Sequence, residues 1–345
     1  METIVEKQVD PSRIMQIGLG FWASKTLLTA VNIGLFTLLA KGGLSGNEIK
    51  NKLGLHDRSL YDFLDTLVAL KFLERSGLKE TALYSNSGDT DLFLDRDKPS
   101  YCGGILEYAN NRLYPNWNCL EDGLKTGLSY DLLKPGVKPL FEDLYSSPEK
   151  LSEFLKAMGG LQMGNFAALS NNFDFSKYTT LCDIGGAGGY LSAQIARDNG
   201  HMKCISYDLP LVTAIAAKNI KNMGLENKVA VQPGDFFIDD FPKADAITMG
   251  NILHDWGTKD KKMLIKKAYD ALPKGGSLIV IENIIDDNRS ENAFGLMMSL
   301  NMLIETNEGY DFSKADFEVW ARDIGFGKIH FMPLTGPSSA VIAIK

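Results

Sequence analysis

The 345-residue sequence is poor in the residues and patterns that mark several large classes of protein. It has four cysteines, and no two of them form a C-x-x-C pair of the kind that holds zinc or carries out thiol exchange. Cys182 and Cys204 stand in apolar, strand-like runs, so we expect buried thiols in a reducing compartment. The sequence also lacks internal repeats and low-complexity tracts, and 45% apolar with 23% charged residues is the composition of a globular protein.

Surplus positive charge and long apolar runs are lacking as well. The formal net charge of −7 argues against a broad surface for nucleic acid or an anionic membrane, so we expect neither as a partner. The first residues, METIVEKQVDPSR, lack the basic and apolar segments of a signal peptide. The uncharged run Thr26–Ala40 is shorter than the roughly 20 apolar residues of a membrane-spanning helix. We therefore expect a cytoplasmic protein in which this run forms a buried helix.

The chain from residue 12 to about 170 has helical spacing almost throughout. Ser45 followed by Glu48 predicts a capping box that opens a helix, and Gly54 predicts its end. Asp57 or Ser59 would cap the next helix. An apolar stripe then follows at helical spacing, in Leu60, Phe63, Leu64, Leu67 and Leu70. With FLER and ALYSNS as short strands, this order is typical of a winged helix-turn-helix.

A winged helix can bind DNA, but the second helix of this one, RSLYDFLDTLVALK, carries acidic residues beside its basic ones. Asp62 and Asp65 counter Arg58 and Lys71, whereas a recognition helix needs cations for phosphates and forked donors for base edges. We therefore interpret this half as a packing or dimerisation module. A winged-helix regulator whose other half senses a ligand stays an alternative, which salt-sensitive DNA binding would favour.

From about Thr179 the periodicity changes to short β-branched runs that alternate with helical stretches. The runs TTLCDIG, MKCISYD, VAVQPGD, ADAITMG and SLIVIEN predict a parallel sheet covered by helices on both faces. The segments KIHFMPL and SAVIAIK predict a terminal hairpin with an antiparallel edge strand. We place the boundary between the two halves near residues 171–178.

Ligands of such sheets bind at the carboxyl ends of the strands, near the switch in strand order. The first strand is followed by GGAGG, where glycines such as Gly185 permit positive φ and close approach of a ligand to the backbone. The second strand ends at Asp208, which can accept two ribose hydroxyl groups. After the third strand, Asp235 can accept an adenine amino group and Phe236 can cover a ring face. These features predict a site for an adenosine-containing ligand.

The type of adenosine ligand follows from what the loop lacks. A G-x-G-x-x-G frame that starts at Gly186 requires a small residue at position 191, where the chain has Leu191. This departure disfavours a dinucleotide, and the absence of a Walker lysine disfavours ATP. An adenosine ligand without phosphates fits better.

The motifs DIGGAGG, YDLP, GDFF and HDW, together with the helical first half, resemble the class I S-adenosylmethionine-dependent small-molecule O-methyltransferases. This family includes plant caffeate-type and bacterial hydroxyindole- or polyketide-tailoring enzymes. The resemblance implies an α/β, Rossmann-like methyltransferase sheet with an N-terminal helical winged-helix dimerisation domain, and hence a homodimer. It implies three segments: dimerisation over residues 1–105, a helical connector contributing to the substrate pocket over 106–175, and the catalytic domain over 176–345.

The resemblance also implies a site for S-adenosylmethionine, with S-adenosylhomocysteine as the product. Its residues would come from the ends of the first strands and the loops that follow them. They are Asp183 and Gly185 at the glycine loop, Asp208 and Leu209 after the second strand, the adenine pair Asp235 and Phe236, and Asn251 before the histidine. Many relatives carry a basic or aromatic contact where this chain has Gly250–Asn251, so any contact there must come from the Asn251 amide or be weaker.

His254 follows the fourth strand and would lie at the ligand-bearing edge of the sheet. A phenol has a pKa near 10, so very little of it is ionised at neutral pH. A neutral imidazole that takes the phenol's proton during attack typically raises the reaction rate about 10²–10⁴-fold, and His254 is the residue that we expect in this role. The resemblance implies two acids beside this base, Glu282 and Asp311. The segment around Asp311, GYDFS, departs from the family's G-G-x-E-R-T-like pattern, with a shorter acid. We expect Asp255 to cap the following helix or to bond backbone, and Trp256 to pack.

The acceptor is predicted less closely than the cofactor. Met298 and Met302 share a helix face, and Met158 falls where relatives place a substrate-clamping methionine, so these thioethers would suit a flat, apolar acceptor. Ordinary core packing explains the same methionines equally well. The prediction is metal-free transfer to a hydroxyl of a small, aromatic or enolic metabolite, since no cluster of metal-ligating acids is evident. Transfer to carbon, nitrogen or sulfur stays open.

Overall fold

A computed structural model describes residues 9–98 and 100–345. The chain divides into two compact units, the first ending at Pro115 and the second running from Asn116 to Lys345. Most of the predicted connector, residues 116–175, falls in the second unit. The division into three segments stays a prediction.

The first unit is mainly helical and contains a small sheet. The helices of its described part are α1 Ser12–Gly18, α2 Phe21–Asn32, α3 Leu35–Leu39, α4 Gly46–Leu53, α5 Leu60–Ala69, α6 Gly88–Phe93 and α7 Gly104–Tyr108. The strands β1 Leu44–Ser45, β2 Leu73–Ser76 and β3 Leu83–Asn86 form an antiparallel sheet in the order β1-β3-β2. The helices α4 and α5 and the two-stranded wing of β2 and β3 therefore follow one another in the predicted order.

The start of α4 shows the predicted capping box, and the start of α5 does not follow the prediction. The Ser45 side chain accepts the Glu48 backbone N–H, the Glu48 carboxylate accepts the Ser45 N–H, and Gly54 ends the helix in a left-handed conformation. Before α5, however, His56 Nδ1 accepts the Arg58 N–H at 3.1 Å, and Ser59 makes no side-chain cap bond. The imidazole takes the acceptor role that we expected of Asp57 or Ser59.

The run Thr26–Ala40 is not the single buried helix that we expected. It breaks at Gly34, whose φ of +76° ends α2 and starts α3, and only part of each helix is buried. Among the described residues, Ser12–Asn32 is the segment long and apolar enough to cross a membrane by length and composition alone, and 17% of its apolar 18-residue stretch is buried. A helix that another chain covers meets the same criterion, because contiguous exposed apolar surface also marks protein interfaces.

The second unit begins with the helices α8 Tyr114–Asn116, which spans the boundary, α9 Leu120–Thr126, α10 Tyr130–Leu133, α11 Leu140–Tyr145 and α12 Pro148–Asn172. Strands and helices then alternate, as β4 Thr180–Ile184, α13 Tyr190–Asp198, β5 Lys203–Asp208, α14 Pro210–Asn222, β6 Val229–Pro233, β7 Ala246–Gly250, α15 Thr258–Ala271 and β8 Ser277–Glu282. The unit ends with α16 Ala293–Glu305, α17 Lys314–Ile324, β9 Lys328–Pro333 and β10 Ser339–Ile344.

These strands form one seven-stranded sheet in the order β6-β5-β4-β7-β8-β10-β9. The first five pair in parallel, and the terminal hairpin is antiparallel, with β9 at the edge. Alternate residues of a strand enter opposite cores: Leu278 and Val280 pack with α15 and α17, whereas Ile279 and Ile281 pack with α12 and α13. All seven strands lie where the sequence predicted them, and both faces of the sheet are covered.

The strand order positions the candidate site. Because β4 has β5 on one side and β7 on the other, the order reverses beside β4, which is where ligands of such sheets bind. The glycine loop, Asp208, Asp235, His254 and Glu282 come at or just after the carboxyl ends of β4, β5, β6, β7 and β8.

Candidate active site

The glycine loop and Asp208 are in direct contact. Asp208 Oδ2 accepts the Ala187 N–H at 2.9 Å, and its Oδ1 accepts the Leu209 N–H at 2.7 Å. Burial raises the pKa of Asp208 to about 6, although these two backbone hydrogen bonds oppose the rise by stabilising the carboxylate. The group is therefore ionised at neutral pH and held by two backbone amides.

The loop backbone is fixed to the neighbouring strand and has little free space. The N–H groups of Gly185 and Gly186 both donate to the Tyr207 carbonyl, at 2.9 and 3.1 Å. Gly185 has a φ of +68°, and a Cβ on it would collide with Cδ1 of Ile252. Ala187 has a φ of +49°, which costs an L-residue about 1–2 kcal/mol. The loop therefore keeps its shape at position 187 in spite of the missing glycine.

Asp183 has a partner inside the sheet. Its side chain is buried, and its Oδ1 accepts the hydroxyl of Thr248 on the adjacent β7 at 2.7 Å. Burial raises the pKa of this carboxyl group to about 7, and the Thr248 hydrogen bond opposes that rise. Thr248 was not singled out from the sequence. Its contact connects the start of the glycine loop to the strand that leads to His254.

The predicted adenine pair is partly engaged by its own loop. Asp235 Oδ1 accepts the Phe237 N–H at 2.8 Å. The Phe236 ring packs against the core and lies edge-on to Trp256, with 6.0 Å between ring centroids. Phe141 of α11 stacks on the same Trp256, also at 6.0 Å. These aromatic rings make an apolar group beside the ends of β6 and β7.

Tyr145 of α11 lies near the acids of the candidate site, and sequence analysis missed it. Burial raises the pKa of its phenol, and the carboxylates of Asp208, Asp255 and Asp235 raise it further. The phenol therefore stays protonated among the acids of the site. Its ring packs against a small apolar cluster of α12 and α14, against which Ala187 and Leu209 also pack. No sequence signal identifies it, because α11 and the strand ends are far apart in the chain.

Asn251 and the residues after it form the turn that carries His254. Asn251 has a left-handed φ of +53°, and its N–H donates to the Ile281 carbonyl at 2.9 Å. A 3₁₀ turn over Leu253–Asp255 follows and contains the histidine. The positive φ redirects the chain at the end of β7, so that His254 faces the end of the neighbouring β8.

Three carboxyl groups surround the buried His254. Its Nδ1 lies 3.4 Å from Glu282 Oε2 and 3.6 Å from Asp311 Oδ1, and its Nε2 lies 3.5 Å from Asp255 Oδ1. The His254 backbone N–H donates to Glu282 Oε1 at 3.2 Å. Side-chain separations of 3.4–3.6 Å exceed ordinary hydrogen-bond lengths, and catalytic contacts of this kind often shorten only with substrate bound.

Asp255 corrects a prediction. The residue that caps α15 is Gly257, without a side-chain bond, whereas the Asp255 carboxyl group lies beside the imidazole. The expectation that Asp255 caps the helix is therefore wrong, because the tight turn after β7 directs it toward the imidazole. Trp256 packs, as expected.

Burial and neighbouring charges act in opposite directions on the pKa values of this cluster. Burial lowers the pKa of His254, but the carboxyl groups of Glu282, Asp255 and Asp311 outweigh burial and raise it to about 10. Burial likewise raises the pKa of Glu282 to about 7 and that of Asp255 to about 6, against the attraction of His254. Within the described residues, His254 Nδ1, Glu282 Oε2 and both Asp311 carboxyl oxygens lack a hydrogen-bond partner. The cluster therefore holds a proton readily and has unused hydrogen-bonding capacity.

The same cluster brings together three possible metal ligands. One ligand atom each of His254, Glu282 and Asp311 lies within 4.8 Å of the others, although the sequence showed no such group. The fold assembles it from β7, β8 and the segment before α17, which are separate in sequence. Metal-free chemistry stays a prediction.

The predicted substrate methionines lie on two helices. Met302 is buried in α16, and Met298 of the same helix is half-buried. Ser299, between them, accepts the Asp311 N–H through its Oγ at 3.1 Å, so α16 passes beside the cluster. Met158 is half-buried in α12, where the next residue, Gly159, packs closely on the Tyr190 ring at the end of the glycine loop.

Comparison with known proteins identifies the family. Residues 117–327 match the O-methyltransferase domain, and residues 15–96 match the O-methyltransferase dimerisation domain. The chain is 36% identical to the tetracenomycin polyketide synthesis 8-O-methyl transferase TcmO of Streptomyces glaucescens, over 97% of both chains. It is 29% identical to the N,N-dimethyltransferase OxyT of Streptomyces rimosus, over 91% of this chain and 90% of that protein.

A solved structure is similar over nearly the whole length. The crystal structure of human N-acetylserotonin methyltransferase in complex with S-adenosylmethionine matches with a TM-score of 0.89 and 26% identity, and covers 99% of both chains. The apolar segment Ser12–Asn32 overlaps the dimerisation match, which favours a protein interface over a membrane span. The chain belongs to the family of S-adenosylmethionine-dependent O-methyltransferases that act on small molecules.

Proposed function

We propose that this enzyme methylates a hydroxyl group of a small aromatic or enolic metabolite, with His254 as the general base. One observation carries this proposal: His254 is buried at the end of β7 with Glu282, Asp311 and Asp255 around its two ring nitrogens. A base needs a partner that orients it and stabilises its protonated form, and this histidine has acids on both sides. We propose Nε2 as the atom that takes the proton, because two acids, Glu282 and Asp311, face Nδ1 and one, Asp255, faces Nε2.

The residues at the strand ends suit the cofactor by their chemistry. Asp208 offers a half-buried carboxylate for ribose hydroxyls, and Gly185 leaves no room for a side chain where the loop meets Ile252. Asp183, Leu209, Asp235, Phe236 and Asn251 complete the proposed set. When bound, S-adenosylmethionine supplies an electrophilic methyl group on a positively charged sulfur, which the acceptor oxygen displaces to leave S-adenosylhomocysteine.

The protein's own part is to position the acceptor and to receive its proton. With a pKa near 10, His254 carries a proton at neutral pH, so the base form is a minority. A positive charge near the imidazole, such as the sulfur of bound S-adenosylmethionine, would lower the pKa of His254 because it disfavours the imidazolium. Once neutral, Nε2 accepts the hydroxyl proton, and Glu282 and Asp311 stabilise the resulting cation. Activity is therefore expected to rise with pH through the neutral range.

The acceptor pocket is proposed from the helices beside the site, and the assembly from the dimerisation match. Met298 and Met302 belong to α16, the helix that contacts Asp311 through Ser299, so they would line the acceptor side of the pocket. Met158 would lie on the side of the glycine loop. Thioethers adapt to flat apolar ligands. We also propose a homodimer, since α1 has no buried residue and residues 15–96 match a dimerisation domain. A cytoplasmic location is proposed for a small-molecule biosynthetic enzyme of this kind.

A second candidate is methyl transfer to nitrogen. The relative from Streptomyces rimosus is named an N,N-dimethyltransferase, and a proton acceptor near the transferred methyl group would serve an amine as well. The short acid Asp311, in a segment that departs from the family pattern, leaves the same choice open.

The test is a turnover assay with S-adenosylmethionine and a panel of phenols, enols and matching amines, read as product mass. His254→Ala should lose most turnover on hydroxyl acceptors, whereas His330→Ala, on the exposed edge strand β9, should keep it. Equal turnover in both variants would overturn the base assignment. Methylation of the amines alone would move the proposal to nitrogen.

A further inference from the structure

A buried lysine lies next to the histidine cluster. Lys261 has no exposed surface, and it occupies the apolar stripe of α15 with Leu264, Ile265 and Ala268. Lysine is almost never fully buried unless its charge is paired, and an unpaired buried ammonium is very costly. A lysine on an apolar stripe is a signal that the sequence does contain, although sequence analysis did not use it.

The ammonium group of Lys261 connects two loops. Its Nζ donates to the Trp256 carbonyl at 2.6 Å and to the Tyr310 carbonyl at 2.8 Å, and it lies 3.3 Å from the centroid of the Tyr310 ring. Trp256 comes two residues after His254, and Tyr310 directly precedes Asp311. One side chain therefore holds the segment of the histidine against the segment of its acidic neighbour.

Uncharged contacts join the same two loops. The Thr258 and Tyr310 hydroxyl groups are 2.6 Å apart, and a Cβ on Gly309 would lie only 2.7 Å from the His254 carbonyl oxygen. The loops thus meet without Lys261, so backbone contact alone does not account for a buried charge at this position. To these contacts Lys261 adds two hydrogen bonds and a positive charge.

Four acidic residues act on that charge. Burial lowers the pKa of Lys261 to about 8, and the carboxyl groups of Glu282 on β8, Asp311, Asp255 and Asp316 on α17 act to raise it. Lys261 is therefore mostly charged at neutral pH. Three of these four acids, Glu282, Asp311 and Asp255, also surround His254 and favour its protonated form. A cation that these acids share with His254 weakens their hold on the imidazolium proton.

We propose that Lys261 is a positioning residue for methyl transfer, whose ammonium fixes the Asp311 segment against the His254 segment and offsets negative charge so that His254 releases its proton. This inference rests on the proposed base role of His254. Without the Lys261 charge, three carboxyl groups would face a single cation, and the base form would be rarer at any given pH.

The experiment replaces the charge and follows His254 directly. Lys261→Met removes charge and hydrogen bonds, Lys261→Gln keeps donors without the charge, and Lys261→Arg keeps the charge. The matched control is Lys262→Met, the adjacent lysine on α15, whose side chain is 42% exposed and 3.6 Å from Asp323. Each variant is made with labelled histidine, and NMR follows the imidazole titration, assigned with His254→Ala among four histidines. Turnover against pH, KM for S-adenosylmethionine and thermal unfolding are measured in parallel.

We expect both neutral variants to raise the titration midpoint of His254 by about one pH unit, a tenfold change in the ratio of base to acid form. The acidic limb of kcat should move to higher pH by the same amount, with KM for S-adenosylmethionine unchanged. Lys262→Met should match wild type, and Lys261→Arg should restore most of the effect. If Lys261→Met does not fold, Lys261→Gln provides the reading.

Two results would overturn the proposal. One is lower kcat or lower thermal stability in the neutral variants without movement of the His254 titration, which indicates a purely structural role. The other is an equal shift in Lys262→Met. Failure of the base assignment has a different signature, since His254→Ala would then keep its turnover whatever the Lys261 variants do to the titration.

Discussion

His254 Nδ1 lies 3.4 Å from Glu282 Oε2, across the neighbouring ends of the parallel strands β7 and β8. Burial opposes a charge on this imidazole, and Glu282 leads the acids that outweigh burial. The sheet positions both residues, because Glu282 is the last residue of β8 and His254 lies in the short 3₁₀ turn that follows β7.

Glu282→Gln is therefore expected to lower the pKa of His254. The base form exists above this pKa, so the acidic limb of the pH–rate profile should move to lower pH. A shift of one unit corresponds to about 1.4 kcal/mol. The plateau rate should fall, because a neutral amide stabilises the transient imidazolium less. The pH dependence of kcat measures both effects, with the exposed Glu226→Gln as the control; an unmoved limb would contradict the assigned pairing.

Asp208→Asn should weaken the binding of S-adenosylmethionine. Hydrogen bonds to a charged group contribute about 1.5–3 kcal/mol, so the expected loss of affinity is about tenfold to a hundredfold. Calorimetric titration measures it, with exposed Asp198→Asn as the control. Unchanged affinity would remove Asp208 from the cofactor site.

Gly185→Ala and Gly224→Ala separate backbone strain from lack of space. Both glycines have a φ of +68°, but a Cβ on Gly224 meets no atom within 4 Å, whereas one on Gly185 collides with Ile252. Both variants should lose about 1–2 kcal/mol of unfolding free energy through the left-handed conformation. Only Gly185→Ala should also lose cofactor affinity. Urea unfolding and calorimetry test this pair, and equal cofactor affinity in both variants would contradict it.

Removal of divalent metal should leave turnover unchanged. We assign the group of His254, Glu282 and Asp311 to a proton, because an imidazole coordinated through Nδ1 would carry its hydrogen on Nε2 and could not act as a base there. The measurement is kcat after dialysis against EDTA, compared with dialysis against buffer alone. Loss of activity that a divalent ion restores would count against the proton assignment.

The sequence predicted the sheet well and the side-chain contacts of the site less completely. Short β-branched runs located all seven strands, and the rule that ligands lie at strand ends placed Asp208 and His254 at one edge. The expectation that Asp255 caps the following helix was wrong because the direction of its side chain depends on the turn after β7, where Asn251 adopts a positive φ. Tyr145 was missed because only the folded chain brings α11 to the carboxylates.

Two further differences have local causes. The run Thr26–Ala40 was expected to be one helix, but Gly34 adopts a left-handed conformation that divides it. Lys261 falls on an apolar stripe that sequence analysis would read as core, and its significance comes from the loop carbonyls of Trp256 and Tyr310, which no periodicity reveals.

The most direct test of the base assignment compares wild type with His254→Ala over acceptor phenols of decreasing pKa. A phenol of pKa near 10 is almost entirely protonated at neutral pH and needs a base, so the variant should lose about 10²–10⁴-fold in kcat. A phenol that is already ionised at the assay pH has no proton to give, and the variant should then approach the wild-type rate. An equal loss for every phenol would contradict the account, because His254 would then serve position and not proton transfer.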